Sequence, residues 1–340
     1  MPAAATLDAE TNARARAAVE RRYHSGEGFA RWDLTGCDLS GMHLAGADFR
    51  EALMECVNLA GATLDGSDFT GATLVRANLK GSSLSATRFK GANLGGATLA
   101  DAKATEPIDL SDATLWSTDL TGASLAGAIL DGATAFEVKL ARAELRGASV
   151  RKATFLQSDL AGVKFVEATL AGATLLECKV TGGDFTGAKM KGAAFVKVSG
   201  EGAVFRGADL ENLRVVYESN FERGDFHEVR MPGANLRETR LAGARFTRSN
   251  LEASDFSECD LTGADFFACS AREARFVRSN LTGASLVSAG LLGAILQKAT
   301  LTDADLTGAV LFGADMARTR GRPKSLEGAS LERVRVLGGA

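Results

Sequence analysis

The chain has little of what enzymes and metal proteins depend on. Its 340 residues include three histidines and five cysteines. No Cys-x-x-Cys or Cys/His spacing suits a metal ion. His24 lies near the N-terminus, and none of His24, His43 and His227 has a Ser or Cys placed as in a known nucleophile motif. There is no phosphate-cradling GxxxxGK[ST] loop. Aspartates are numerous, but they recur at one pattern position, so no carboxylate pair stands out for acid–base work. No apolar run approaches the roughly eighteen residues of a membrane span. The segment Met1-Pro-Ala-Ala-Ala-Thr-Leu-Asp8 lacks the basic region and apolar core of a secretory signal. Five cysteines without a framework spacing fit a reducing compartment, so the expected location is the cytoplasm. Charge of one sign is also missing: 39 Lys and Arg face 42 Asp and Glu, a net −3, with no uniformly basic face for nucleic acid. These absences predict a non-enzymatic protein with no cofactor, no metal, no membrane contact and no direct nucleic-acid contact.

What is present is a five-residue beat. Gly46-Ala-Asp-Phe49, Gly61-Ala-Thr-Leu64, Gly66-Ser-Asp-Phe69 and Gly71-Ala-Thr-Leu74 show it plainly. A large apolar residue, nearly always Leu or Phe, forms the centre of each unit. A small residue stands two before it, Asp, Asn, Thr or Ser one before it, and often Gly two after it. Centres run from 34 to 99, resume one residue late at 110, run to 215, slip by one again at 221 and continue to 336. A ragged patch surrounds Arg318–Lys324. Such a fixed period defines the fold class before any local propensity does.

Neither a helix nor a straight strand accommodates this period. At about 100° per residue, five steps rotate a helical position by roughly 140°, and no apolar stripe forms. In a strand, side chains alternate faces, so centres five apart point in opposite directions. All centres stay inside only if the chain turns once per unit. The centre and the residue two before it then face inward, and the other three positions face water. Glycine after the centre suits the corner. The phenylalanines set the number of sides. Phe165, Phe185, Phe205, Phe226, Phe246 and Phe266 are spaced by 20, except for a single 21 across the second slip. Phe49, Phe69 and Phe89 repeat the spacing. Twenty residues is four units, so one coil has four sides and like residues stack. Each slip reads as a one-residue bulge that leaves the ladder intact.

Four of the cysteines, Cys37, Cys178, Cys259 and Cys269, occupy the small inward position and read as buried structural residues. Cys56 stands two after its centre, nearer the surface. Residues 1–31 lie outside the beat. Helix formers from Asp8 to His24, with Gly26 as a stop, predict a short helix. Its thin apolar face of Ala15, Val19, Tyr23 and Phe29 fits two readings: a cap on the first coil, whose edge is otherwise unpaired, or a partner-binding helix. The expected domains are therefore a helical cap over 1–31 and a solenoid over 32–340.

The A-(D/N)-L-x-x pattern is similar to the pentapeptide-repeat family over about residues 32–337. That resemblance implies an all-β fold, a right-handed quadrilateral β-helix. About sixty-one units give about fifteen coils and, at about 4.8 Å per coil, a rod roughly 70 Å long. It also implies work done by a rigid surface, as a protein–protein interaction scaffold. Members that protect DNA gyrase imitate the width and negative charge of a duplex. This chain departs from them in its weak acidity and its lack of long projecting loops. Residues 31–135 carry 7 basic and 13 acidic groups, 136–230 carry 14 and 13, and 231–340 carry 14 and 12. The opening Ala30-Arg-Trp-Asp-Leu-Thr-Gly-Cys-Asp-Leu-Ser-Gly-Met-His-Leu44 region and the closing Ala304–Arg318 region resemble pentapeptide modules that accompany bacterial type VI secretion proteins. The expected partner is another protein, a secretion spike component or effector, with a type II topoisomerase as the alternative. Candidate contacts are the outward breaks in the pattern: Lys103, Glu106 and Pro107 at the first slip, Trp116, and Arg214 and Tyr217 at the second. The basic run Arg318–Lys324 reads as a solvated excursion or a contact for phosphate or an acidic partner.

Overall fold

A computed structural model describes residues 7–336. Helix α1 (Ala9–His24) precedes a solenoid whose sides are joined by parallel bridges. Asp33 bridges Leu53, Asp38 bridges Asn58, His43 bridges Thr63 and Asp48 bridges Asp68. Four successive sides, five residues apart, each pair with the side 20 residues later, so the coil is four-sided. The chain forms two compact units, Met1–Thr169 and Leu170–Ala340.

The motif explains each corner. In the unit around Leu39, the amide of Leu39 donates to the Asn58 carbonyl (2.7 Å) and that of Gly41 to Ala60 (2.9 Å) in the next coil. The Met42 amide turns back to the Leu39 carbonyl (3.3 Å), closing a tight turn. The Asp or Asn before the centre has its own task. Its side-chain oxygen accepts the amide two residues on, as Asp38 does from Ser40 (2.9 Å) and Asp68 from Thr70 (2.9 Å). This is an Asx turn, which ties down an amide that would otherwise lack a partner. The second residue after the centre is left-handed at the regular corners: Gly41 has φ +64°, and where glycine is absent Glu51 and Cys56 take +58° and +55°.

The centres fill the axis. Phe29, Phe49, Phe69 and Phe89 stack in the first unit with ring centroids 5.0, 4.8 and 5.0 Å apart. In the second unit Phe185, Phe205, Phe226, Phe246 and Phe266 stack at 4.9, 4.9, 4.8 and 5.0 Å. Phe165, in the first unit, is fully buried. The small inward position holds buried hydroxyls as well as Ala. Ser67 donates to the Leu44 carbonyl (2.7 Å) and Ser249 to Phe226 (2.6 Å), so burial leaves these hydroxyls bonded.

Both slips are absorbed within one coil. Arg88 pairs with Asp109 and Ser199 with Asn220, each 21 apart, after which the 20-residue register returns. Continuous strands are scarcer than an expectation of about fifteen coils suggests. Three-residue strands mark one side of three coils in the first unit, β2 (Thr114–Trp116), β4 (Thr134–Phe136) and β5 (Thr154–Leu156). They mark three more in the second, β6 (Thr174–Leu176), β7 (Ala194–Val196) and β8 (Arg214–Val216). These account for about six turns. Two shorter strands, β1 (Lys103–Ala104) and β3 (Ser124–Leu125), pair on another side of the first unit. The six three-residue strands have Thr, Ala or Arg where the Asx cap would sit, and a bulky apolar residue after the centre. The pattern alone does not set strand length, since Thr73-Leu74-Val75 and Arg275-Phe276-Val277 share it and form single bridges.

Helix α1 has Asp8 as its N-cap, accepting from the Thr11 amide (3.0 Å), and Gly26 at φ +73° beyond its end. It buries Val19 and supplies the partners the first coil lacks on its outer edge. Arg16 donates to the carbonyls of Asp38 (3.3 Å) and Ser40 (2.9 Å), Asn12 accepts from the Asp38 amide (2.7 Å), and Tyr23 donates to Ala45 (2.9 Å). A strand edge left open in this way is a template for unwanted pairing, and α1 closes it.

Candidate docking surface

Outward residues are held in columns by the same bridges that hold the coils. On one wall of the first unit Asn58 donates to Asp38 (3.0 Å) and Asn78 donates to Asn58 (3.0 Å), a ladder of stacked polar side chains. On another wall Arg50 clasps Asp48 through two bonds (2.8 and 2.7 Å) and Arg88 reaches Asp68 at 3.5 Å. The Arg50 side chain holds the Asp48 carboxyl below the usual carboxylate range. Arg31 bonds Glu51 across one coil at 2.7 Å and lowers its pKa in the same way. In the second unit Glu211 sits between Lys191 (2.8 Å) and Arg230 (2.5 Å).

The thiols belong to the interior. Cys37, Cys178, Cys259 and Cys269 are buried, and Cys56 is half-buried. Burial pushes the Cys259 and Cys269 thiols up to about 12, and raises that of Cys37. The Cys259 thiol donates to the Leu236 carbonyl at 2.9 Å, the same bond the inward serines make. Among the described residues, no group of three or more His, Cys, Asp and Glu could hold a metal ion.

The outward breaks fall at separate places. Lys103 lies in β1, while Glu106 and Pro107 are exposed at the first slip. There the Ala86 amide reaches only to the Glu106 carbonyl, at 3.3 Å. Trp116, 57% exposed, stands two sides further round the coil at the end of β2, in register with Phe136 and Leu156. These three apolar side chains form a column that sequence inspection did not assemble, although the triplets Thr-Leu-Trp, Thr-Ala-Phe and Thr-Phe-Leu recur every 20 residues. In the second unit Leu176, Val196 and Val216 form a second such column. Arg214 and Tyr217 meet beside it, lining one hollow of about 500 Å³. Tyr217 is 67% exposed, and it and Glu218 both have positive φ (56° and 54°). The structure thus brings Arg214 and Tyr217 together in the second unit, while within the first unit Trp116 stands on a different side of the coil from Lys103.

With this geometry in view, comparison with known families identifies the repeat. The family model for pentapeptide repeats matches residues 33–101, 108–135, 139–175, 184–214 and 219–320, well over half of the chain. The chain belongs to the pentapeptide-repeat family. No curated protein sequence matches it. Among solved structures it is similar to QnrB1, a plasmid-mediated fluoroquinolone resistance protein, at 17% identity over 63% of this chain and 91% of that one (TM-score 0.36). It is also similar to HetL, a pentapeptide repeat protein involved in heterocyst differentiation regulation from the cyanobacterium Nostoc sp. strain PCC 7120. There the identity is 22% over 93% of this chain and 94% of that one (TM-score 0.18). A pentapeptide repeat protein from the Arabidopsis thaliana thylakoid lumen is 31% identical over 39% of this chain and 67% of its own (TM-score 0.14).

Proposed function

We propose that the chain acts without catalysis, as a rigid docking wall for another protein, and that this partner belongs to bacterial type VI secretion. One observation carries the docking reading. Bridges every 20 residues hold outward side chains in columns at about 4.8 Å steps, so a partner meets a surface that is already ordered. Binding to such a surface avoids most of the entropy lost when side chains and loops are immobilised. The secretion assignment is supported by the opening and closing repeat modules, Ala30–Leu44 and Ala304–Arg318, and by their resemblance to modules that accompany secretion proteins.

The topoisomerase alternative needs a dense negative wall. Residues 31–135 have a net charge of −6, from 7 basic and 13 acidic groups. At about 4.8 Å per coil their five or so coils span about 24 Å, over which a duplex carries about 14 charges. Several of the carboxylates concerned are also paired within the wall, Asp48 with Arg50 and Glu51 with Arg31.

Tagged full-length chain, used as bait in its native host, is expected to recover a type VI spike component or effector, and to leave gyrase supercoiling unchanged. Inhibition of gyrase at low micromolar protein, lost when Asp48, Glu51, Asp65 and Asp68 are reversed in charge, would overturn the assignment.

A further inference from the structure

We propose that the second slip forms a docking notch for an extended peptide segment in which an apolar side chain is followed by a carboxylate. The proposal rests on the docking-wall reading and adds the chemistry of the partner. The notch is built where β8 ends. The corner amide of the coil before it, at Lys197, donates to the Val216 carbonyl (3.2 Å), and that of the coil after it, at Glu238, donates to Ser257 (3.0 Å). Between them the inserted residue breaks the ladder. Among the described residues, the amides of Tyr217 and Glu218 and the carbonyl of Arg237 have no backbone partner. Tyr217 and Glu218 are exposed, so water meets these groups in the free chain, and a peptide main chain laid along the slip can replace it with donors and acceptors of the right kind.

The side chains specify more. The exposed Tyr217 lines two hollows, of about 500 and 510 Å³. One has an aliphatic floor, Ala194, Val196 and Val216, with Arg214 beside it and Glu238, paired with Arg237 (3.3 Å), also on its lining. The other is lined by Lys197, Ser199 and Glu218. Neighbouring arginines are compensated: Arg237 by Glu258 (2.7 Å), Arg230 by Glu211 (2.5 Å), Arg240 by Glu222 (3.6 Å). Among the described residues no ion pair within 4.0 Å involves Arg214, whereas the other arginines around the notch have one. An uncompensated guanidinium next to an apolar floor and an aromatic wall fits an apolar side chain seated on Val196 and Val216, with a carboxylate on Arg214. Arginine suits this task because its planar fork holds a carboxylate through two bonds. Glu218 lines only the second hollow, and Glu238, which lines both, is held by Arg237, so Arg214 is the cation left for the incoming carboxylate.

The test uses the full chain and two fluorescein-labelled peptides, Ser-Gly-Leu-Leu-Asp-Gly-Ser amide and its Asn-for-Asp counterpart, followed by polarisation. The Asp peptide is expected to bind about tenfold more tightly than the Asn peptide, and to weaken as salt rises from about 50 to about 500 mM. Arg214→Glu should remove that preference and Tyr217→Ala should weaken both peptides, while Arg248→Glu, an exposed arginine elsewhere on the unit, changes neither. Unaltered thermal melting of Arg214→Glu would show that the wall is intact. Equal binding of the two peptides, equal binding by Arg214→Glu and the parent, or no binding of either peptide would overturn the proposal. If Arg214→Glu still captures the native partner as the parent chain does, the notch assignment fails while the docking-wall reading stands.

Discussion

Gly200 stands where a large centre is expected, and the reason is visible only in three dimensions. A Cβ at Gly200 would lie 2.3 Å from a ring carbon of Phe221 and 2.9 Å from Val180. Phe221, one coil on, fills the space that a leucine would take. We expect Gly200→Ala to destabilise the second unit by about 1–3 kcal/mol, the usual cost of overpacking, in spite of alanine's ordinary advantage over glycine. A chemical melt with an unchanged midpoint would show that the ring moves aside freely. Phe205 stacks on Phe185 and Phe226 and meets Phe221 edge-on at 5.8 Å. Phe205→Asp buries an unpaired carboxylate and is expected to cost several kcal/mol. A solenoid passes such a defect only to its neighbours, so unfolding should become multi-step; a single sharp transition at the parent midpoint would contradict the inward assignment. The thiols give a milder test. With burial raising Cys259 and Cys269 to about 12, Cys56 is expected to react first with a maleimide near pH 8, and rapid labelling of the other four would place them outside. At this scale the beat was legible because centre, small position and corner each demand a residue type. The trade between Gly200 and Phe221 was not, because it joins residues a coil apart whose types each break or fit the pattern alone.

At the scale of elements, α1 and the six three-residue strands depart from the uniform repeat for different reasons. The helix was readable from its composition and from Gly26, and Asp8 supplies the cap. What it does was not readable in full: Asn12, Arg16 and Tyr23 share a helical face with Val19, but the polar Asn12 and Arg16 on that face carry no mark of the backbone groups of the first coil that they bond. Replacing Asn12 and Arg16 together by Ala leaves three backbone groups of Asp38 and Ser40 without these partners. At about 1 kcal/mol per bond, the first coil is expected to open locally. Hydrogen exchange should quicken at Leu39 and its neighbours while the second unit is unaffected. Exchange unchanged across the first coil would show that α1 does not hold its edge. The strands carry the opposite lesson. Thr, Ala or Arg in place of Asp looks like ordinary variation in sequence, yet on this side it coincides, coil after coil, with a large apolar residue after the centre, and those residues stack in columns such as Leu176, Val196 and Val216.

At the scale of the whole molecule, the surface is a set of paired charges. Asp33 and Asp38 are held below their ordinary values by the hydroxyls and amides of Thr35 and Ser40, Asp48 by Arg50, Glu51 by Arg31, Glu211 by Lys191 and Arg230, and Asp305 by Thr307. A carboxylate with a lowered folded-state pKa contributes stability that is present above its unfolded value near 4 and lost as pH falls through the lowered one. The melting temperature is therefore expected to hold between about pH 7 and pH 5 and to decline below about pH 4, shallowly, because these groups are largely solvated. A decline that begins above pH 6 would point to histidines instead.

The docking reading itself predicts a spacing. A partner lying along one wall touches residues 20 apart, such as Leu176, Val196 and Val216, and misses the residues of the other three sides between them. Cross-linking or radical footprinting of the second unit in complex with its captured partner measures this directly. Protection recurring every 20 residues along one column, with the bulge at Tyr217 included, is the result expected. Protection spread evenly over all four sides, or confined to α1, would contradict the account.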